Sequence, residues 1–107
     1  MENIKSGEIF KLKDKINYEE SKIKTLDIIR NNNIKMVLMA FDRGTALSQH
    51  AAPGDAIVFA LEGEASIVYE GEEFKIKEGE NFHFAKGALH EVKTIDRFKM
   101  ALFLILE

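Results

Sequence analysis

The sequence predicts an all-β domain, a sandwich or closed barrel, and three observations carry that prediction. Six of the seven glycines fall between Gly44 and Gly87 and, with the single proline Pro53, cut this stretch into pieces of strand length. The pieces are rich in Val, Ile and Phe and recur at a spacing of roughly eight to twelve residues. Two longer runs, residues 34–41 and 98–106, are apolar on both alternate faces, as a strand covered twice would be.

In chain order, Lys11, Lys13 and Lys15 occupy alternate positions and read as one solvated strand face rather than a binding patch. Ile16, Ile23 and Leu26 could share a helical face, and residues 22–26 could equally be an edge strand; the strand reading is preferred. Residues 1–33 are thus expected as N-terminal strands packing on a barrel formed by residues 34–107. Nothing caps the run 34–41 as a helix, so it is expected as a doubly covered strand. Residues 57–61 form a short apolar run bounded by Pro53-Gly54-Asp55 and Glu62-Gly63-Glu64, as a buried strand should be. Residues 66–69 and 74–77 flank Glu70-Gly71-Glu72, a hairpin in which the glycine takes positive φ. Phe74 and Ile76 alternate with Lys75 and Lys77, which gives that strand one wet face. Turns at Glu78-Gly79-Glu80 and Lys86-Gly87-Ala88 set off two more strands, residues 82–84 and 89–92.

The chain has the length of one compact domain. Hydrophobic residues make up 46% and charged ones 31%, an ordinary globular mixture. Fifteen basic against eighteen acidic side chains leave a formal charge of −3, no electrostatic reason to expect nucleic acid or an anionic membrane as partner. The absence of cysteine removes disulfides, thiolate metal sites and cysteine nucleophiles. The first residues, MENIKSGEIFKLKDK, contain no apolar stretch of signal-peptide length, and no run reaches the roughly eighteen apolar residues of a membrane helix. An unprocessed, cytoplasmic domain is expected.

All three histidines lie in the glycine-punctuated stretch. Neutral imidazole is a common metal ligand, yet two histidines alone make a weak site, because stable sites supply three or four protein ligands. The simpler reading of each is a partly buried polar residue held by a hydrogen bond. No G-x-S-x-G elbow accompanies Ser48, Ser66 and His50, and the glycine-rich stretches lack a phosphate-loop pattern.

Two stretches carry a resemblance. Gly44, five residues, His50, and then Ile57 to Glu62 closing on Gly63 follow the pattern G-x5-H-x-H-x3-4-E-x6-G. Gly79, five residues, Ala85-Lys86-Gly87, two residues and His90 follow G-x5-P-x-G-x2-H-x3-N, with Ala85 for proline and Thr94 for asparagine. In these motifs, and in the LEGEA stretch at 61–65, the chain resembles the cupin family over about residues 34–106. The resemblance implies a double-stranded β-helix, or jelly roll. It also implies a divalent metal held by two histidines and a glutamate of the first motif and the histidine of the second.

Here His50 and His90 keep the first and last of those places, while the other two are Ala52 and Ala56. Methyl groups coordinate nothing, so the implied iron, nickel, zinc or manganese site is degenerate. Asp55 neighbours the glutamate place but should turn to the opposite face and fix the Pro53-Gly54 turn. His83 is the one candidate replacement ligand; if Phe82 and Phe84 own the inward face, it is exposed or at an interface. Glu62, Glu64 and Glu91 read as solvated or turned away.

Two functions follow. One is a binding module for a small organic ligand, with His50, Ala52, Ala56 and His90 lining its cavity. The alternative is a metal-dependent enzyme of dioxygenase or isomerase type, its metal on His50 and His90, with His83 as the candidate third ligand. The doubly apolar runs, in a chain too small to cover both faces itself, further predict a homodimer through Met36, Leu38, Met100 and Leu102 or their alternates.

Overall fold

The computed structural model describes residues 1–106. Eight antiparallel strands follow one another: β1 (Ile23–Arg30), β2 (Ile34–Phe41), β3 (Ala46–Ala51), β4 (Ala56–Tyr69), β5 (Glu72–Lys77), β6 (Asn81–Phe84), β7 (Leu89–Lys93) and β8 (Phe98–Ile105). One sheet runs β1-β2-β8-β4-β6 and the other β3-β7-β4-β5, with β4 belonging to both. This is the curled, nearly all-β jelly roll that the motifs imply.

The stretch 57–69 is one strand of the fourteen-residue β4, not two strands with a turn at Glu62-Gly63-Glu64. The turn signal is real, but it bends a continuous strand from the first sheet into the second. Pairing with β8 slips between Ala60 and Glu62, and Gly63 follows at φ +77°. A side chain at Gly63 would also meet the Arg97 carbonyl, 2.2 Å from the position of its Cβ. Both constraints demand glycine. At the Glu70-Gly71 hairpin, φ is +49° and +83°, the two left-handed residues of a tight turn joining β4 to β5.

The inward residues of both sheets make one core: Phe41, Phe84, Phe98, Met39, Met100, Val58, Ile67 and Val92 are all buried. A second, smaller cluster lies outside the barrel, where Leu38, Ala40 and Ala101 meet Ile16 and Ile28. Ile4, Leu12 and Tyr18 pack against it. Residues 1–22 therefore cover the outer face of β2 and β8, which answers within one chain much of the need for a second cover. Burying Ile16 and Ile28 there contributes roughly 1.5–3 kcal/mol each.

Two sequence expectations change here. Lys11, Lys13 and Lys15 lie at a 3-10 turn, Leu12–Lys15, rather than on a strand; the Lys13 carbonyl accepts a 2.6 Å hydrogen bond from Lys99 Nζ. The quartet Met36, Leu38, Met100 and Leu102 does not share a face. Met36 stands opposite Phe103 and Leu38 opposite Ala101, whereas Met100 pairs with Met39 and points into the barrel. What stays exposed on the outer face is Ile57, Phe59 and Ile105, 39–41% accessible.

Candidate functional site

Strand β7 lies between β3 and β4, and its register sets His90 opposite both His50 and Tyr69. The two imidazoles meet edge to face, ring centres 4.2 Å apart at 63°. Phe82 and Phe84, two apart on β6, share the inward face. Phe84 stacks on His90 at 4.0 Å and 15°, and Tyr69 lies nearly parallel to Phe84 at 6.0 Å. Phe82 sets its edge on Tyr69 at 5.3 Å and touches Phe74. The result is a wall of aromatic rings ending in two histidines, with His90 buried and His50 exposed at the rim.

Each histidine is oriented by its own strand. His50 Nδ1 lies 2.9 Å from the Ser48 carbonyl and His90 Nδ1 lies 3.3 Å from the Ala88 carbonyl. A carbonyl only accepts, so both bonds require the proton on Nδ1 and leave Nε2 as an acceptor lone pair. Among the described residues no buried side-chain nitrogen or oxygen lacks a partner, and none pairs with His90 Nε2. That nitrogen therefore reaches solvent. Burial pushes the His90 pKa below its ordinary value, with a smaller contribution from His50, against the Ala88 carbonyl that pulls it up. Near neutral pH the His90 ring is an uncharged acceptor.

The other two places of the ligand set are apolar. Ala52 and Ala56 are buried in the barrel core at 4% and 3% exposure. Both touch the surroundings of His90: Ala52 N–H donates to the Ala88 carbonyl at 3.2 Å, and Ala56 is the cross-strand partner of Phe84. Among the described residues no three His, Cys, Asp or Glu side chains are grouped to hold a metal ion. Two imidazoles, with methyls at positions 52 and 56, do not make the donor set of a resident four-ligand centre.

His83 stands on the outer face, mostly exposed, with Nε2 3.5 Å from Asp55 Oδ1. Phe82 and Phe84 hold the inward face, so His83 is not brought to His50 and His90. Asp55 does turn outward, but its carboxylate accepts from Lys86 N–H at 3.0 Å and so braces the Gly87 turn instead of its own. Glu62 is not merely solvated: it accepts from the Tyr18 hydroxyl and lies 3.9 Å from Lys99 Nζ. Thr94, at the asparagine place, is buried and donates to the Asp42 carbonyl at 3.1 Å, a structural tie. Sequence reasoning missed Tyr69 and Glu70 beside the site. The visible signal was a glutamate at a turn position that usually takes Asn, Asp or Gly.

A concavity of about 870 Å³ lies elsewhere, on the outer face of the second sheet, lined by Ser66, Lys75, Lys93 and Arg97 among others. It contains no histidine. Phe41, Phe84, Phe98 and Met100 are buried inside the barrel, and the exposed His50 lies beside the buried His90.

Comparison with known proteins agrees with this fold. Residues 37–106 match the family model described as a cupin domain. A cupin 2 conserved barrel domain protein from Leptotrichia buccalis is 35% identical, with TM-score 0.86, over 90% of this chain and 47% of that one. A conserved protein of unknown function from Streptococcus pyogenes superposes with TM-score 0.92 at 23% identity, covering 98% of this chain and 92% of its own. A cupin superfamily protein from Desulfitobacterium hafniense gives TM-score 0.93 at 19% identity, covering 98% and 96%. No curated protein matches the chain.

Proposed function

Because the chain belongs to the cupin family, whose barrel hosts unrelated activities, we propose a function read from the rim residues alone: this is a binding module for a small organic molecule. The molecule would combine a flat apolar body with at least one hydrogen-bond donor. His50 and His90 would accept from the donor through Nε2, and the half-buried rings of Phe82 and Tyr69 would stand beside the apolar part. One observation carries this reading. Both imidazoles are tied through Nδ1 to backbone carbonyls, so each offers an acceptor, while Ala52 and Ala56 supply methyls where metal ligands would be needed.

Phenol and toluene test it as probes, because they share a ring and differ in the donor. Titrations followed by proton–nitrogen NMR should shift His50, His90 and Tyr69 with phenol. Toluene should act more weakly, and His90→Ala should remove the difference. Equal shifts from both probes, or none at the rim, would end the reading. Metal analysis of protein purified without a histidine tag decides the rival. Stoichiometric iron, nickel, zinc or manganese lost on His90→Ala would establish the metal-dependent alternative instead.

A further inference from the structure

Glu70 occupies a conformation that its side chain disfavours. It sits at φ +49°, followed by Gly71 at +83°, in a two-residue hairpin turn where Asn, Asp or Gly is the ordinary first residue. A strained non-glycine residue beside a candidate site calls for a compensating contact. The contact is on β7, three strands on in sequence. Glu70 Oε2 accepts from Leu89 N–H at 2.6 Å, and Glu70 N–H donates to the Leu89 carbonyl at 2.8 Å.

Leu89 N–H belongs to the peptide group whose carbonyl is that of Ala88. That same carbonyl accepts from His90 Nδ1 at 3.3 Å and from Ala52 N–H at 3.2 Å. One rigid plane therefore has the Glu70 carboxylate on its N–H and the His90 imidazole on its oxygen. A carboxylate on the N–H polarises the peptide and strengthens the carbonyl as an acceptor, and it also fixes the tilt of the plane.

We propose that Glu70 is a positioning residue for His90, acting through the Ala88–Leu89 peptide as a carboxylate–peptide–imidazole relay. The relay holds the His90 proton on Nδ1 and keeps Nε2 open toward the rim. It rests on the binding reading, since it decides which nitrogen an incoming donor meets. It is nevertheless a property of the free protein. The bland account of the same contacts is a clamp that only fastens the β4–β5 turn to β7.

The tautomer of His90, read by long-range proton–nitrogen NMR on labelled protein above pH 7 with no ligand added, separates the two. The native protein should hold His90 almost wholly as Nδ1–H. Glu70→Asn suits the left-handed turn but is one methylene shorter. It should lower the ratio of Nδ1–H to Nε2–H by about tenfold and speed Leu89 amide exchange by a similar factor. The urea midpoint should hold or rise as backbone strain is relieved. Glu70→Gln keeps length and an acceptor oxygen without charge and should fall between. An unchanged tautomer in Glu70→Asn with faster Leu89 exchange would reduce Glu70 to a clamp, and Nε2–H in the native protein would overturn the relay outright. Should Glu70→Asn fail to fold, the Gln variant decides: native-like tautomer ratios there would refute the charge-assisted relay. Because no ligand enters this measurement, failure of the phenol titration leaves it standing.

Discussion

The rim of the barrel and the ground under the N-terminal segment both place polar groups among apolar ones, yet they treat them oppositely. Among the described residues under the segment, the buried side-chain polar groups are all answered. Lys99 is buried and gives its Nζ to the Lys13 carbonyl; both Lys99 and Arg97 lie over the Tyr18 ring at 4.9 Å. The Tyr18 hydroxyl donates to Glu62, and burial together with that carboxylate pushes its pKa well up. Asp42 accepts from Ser21 N–H at 2.7 Å and from Arg97 Nε at 2.9 Å, and these bonds, with that of the Arg43 N–H, hold its carboxyl down to about 2. At the rim, each imidazole is answered on one side only. A fully answered network fastens one part of the chain to another, while a half-answered pair keeps bonding capacity for something that arrives.

The largest expected effect adds the missing donors to the rim. Ala52→His with Ala56→Glu should raise divalent-metal affinity by several orders of magnitude over the native protein. Calorimetry with nickel or zinc reads the gain, which should fade below about pH 6.5 as protons compete for imidazole. His90→Ala in that background should abolish it. A double variant that folds by circular dichroism but binds no better would show that these positions do not converge on His50 and His90.

On the other side, Gly63→Ala should break the bend of β4. Its Cβ would stand 2.2 Å from the Arg97 carbonyl at a backbone φ of +77°. A loss of about 3 kcal/mol or more in urea unfolding is expected; a loss under about 1 kcal/mol would mean that the strand can straighten.

Lys99→Ala should cost about 2 kcal/mol, because it leaves the Lys13 carbonyl without its donor. His90→Phe should change stability by less than about 1 kcal/mol, since a phenyl ring keeps the stack on Phe84. Similar losses from both would erase the contrast between the two regions.

Acid should reach the rim first. The folded pKa of His90 lies below its ordinary 6.5, so its contribution is complete above that value and is lost as pH falls through the folded pKa. The urea midpoint should decline from pH 7 to 5 in the native protein and less so in His90→Phe; parallel slopes would place the acid sensitivity elsewhere.

The smallest effect concerns what the N-terminal segment leaves bare. We propose that Ile57, Phe59 and Ile105, continuous with the face that segment covers, pack against a second copy of the chain. Light scattering at micromolar concentration should give a dimer for the native protein and a monomer for Ile57→Lys; a native monomer would refute the pairing.

The strand runs and the hairpin at Glu70-Gly71 were legible because each depends on neighbours within a few residues, whereas the alternation at residues 82–84 left open which of its two faces turns inward. That Ala52 and Ala56 offer no metal donor was legible as well, because a methyl cannot become a donor in any fold. By contrast, the faces of Met36 and Met100 depend on register between β2 and β8, strands whose sequence is apolar on both sides and so carries no alternation to read. The cover over Leu38 and Ala101 comes from Ile4, Leu12, Ile16 and Tyr18, between 20 and 97 positions away. So does the pairing of Lys99 with the Lys13 carbonyl, and a lysine that alternates with its neighbours looks the same whether it meets water or a buried network. What the sequence by itself determined is the class of fold and the absence of a metal donor at positions 52 and 56. Only the tertiary structure decided that His50 and His90 face each other, and that one peptide plane joins Glu70 to His90. Such meetings arise from strand pairing across the barrel, and local sequence carries no term for the partner on the other side.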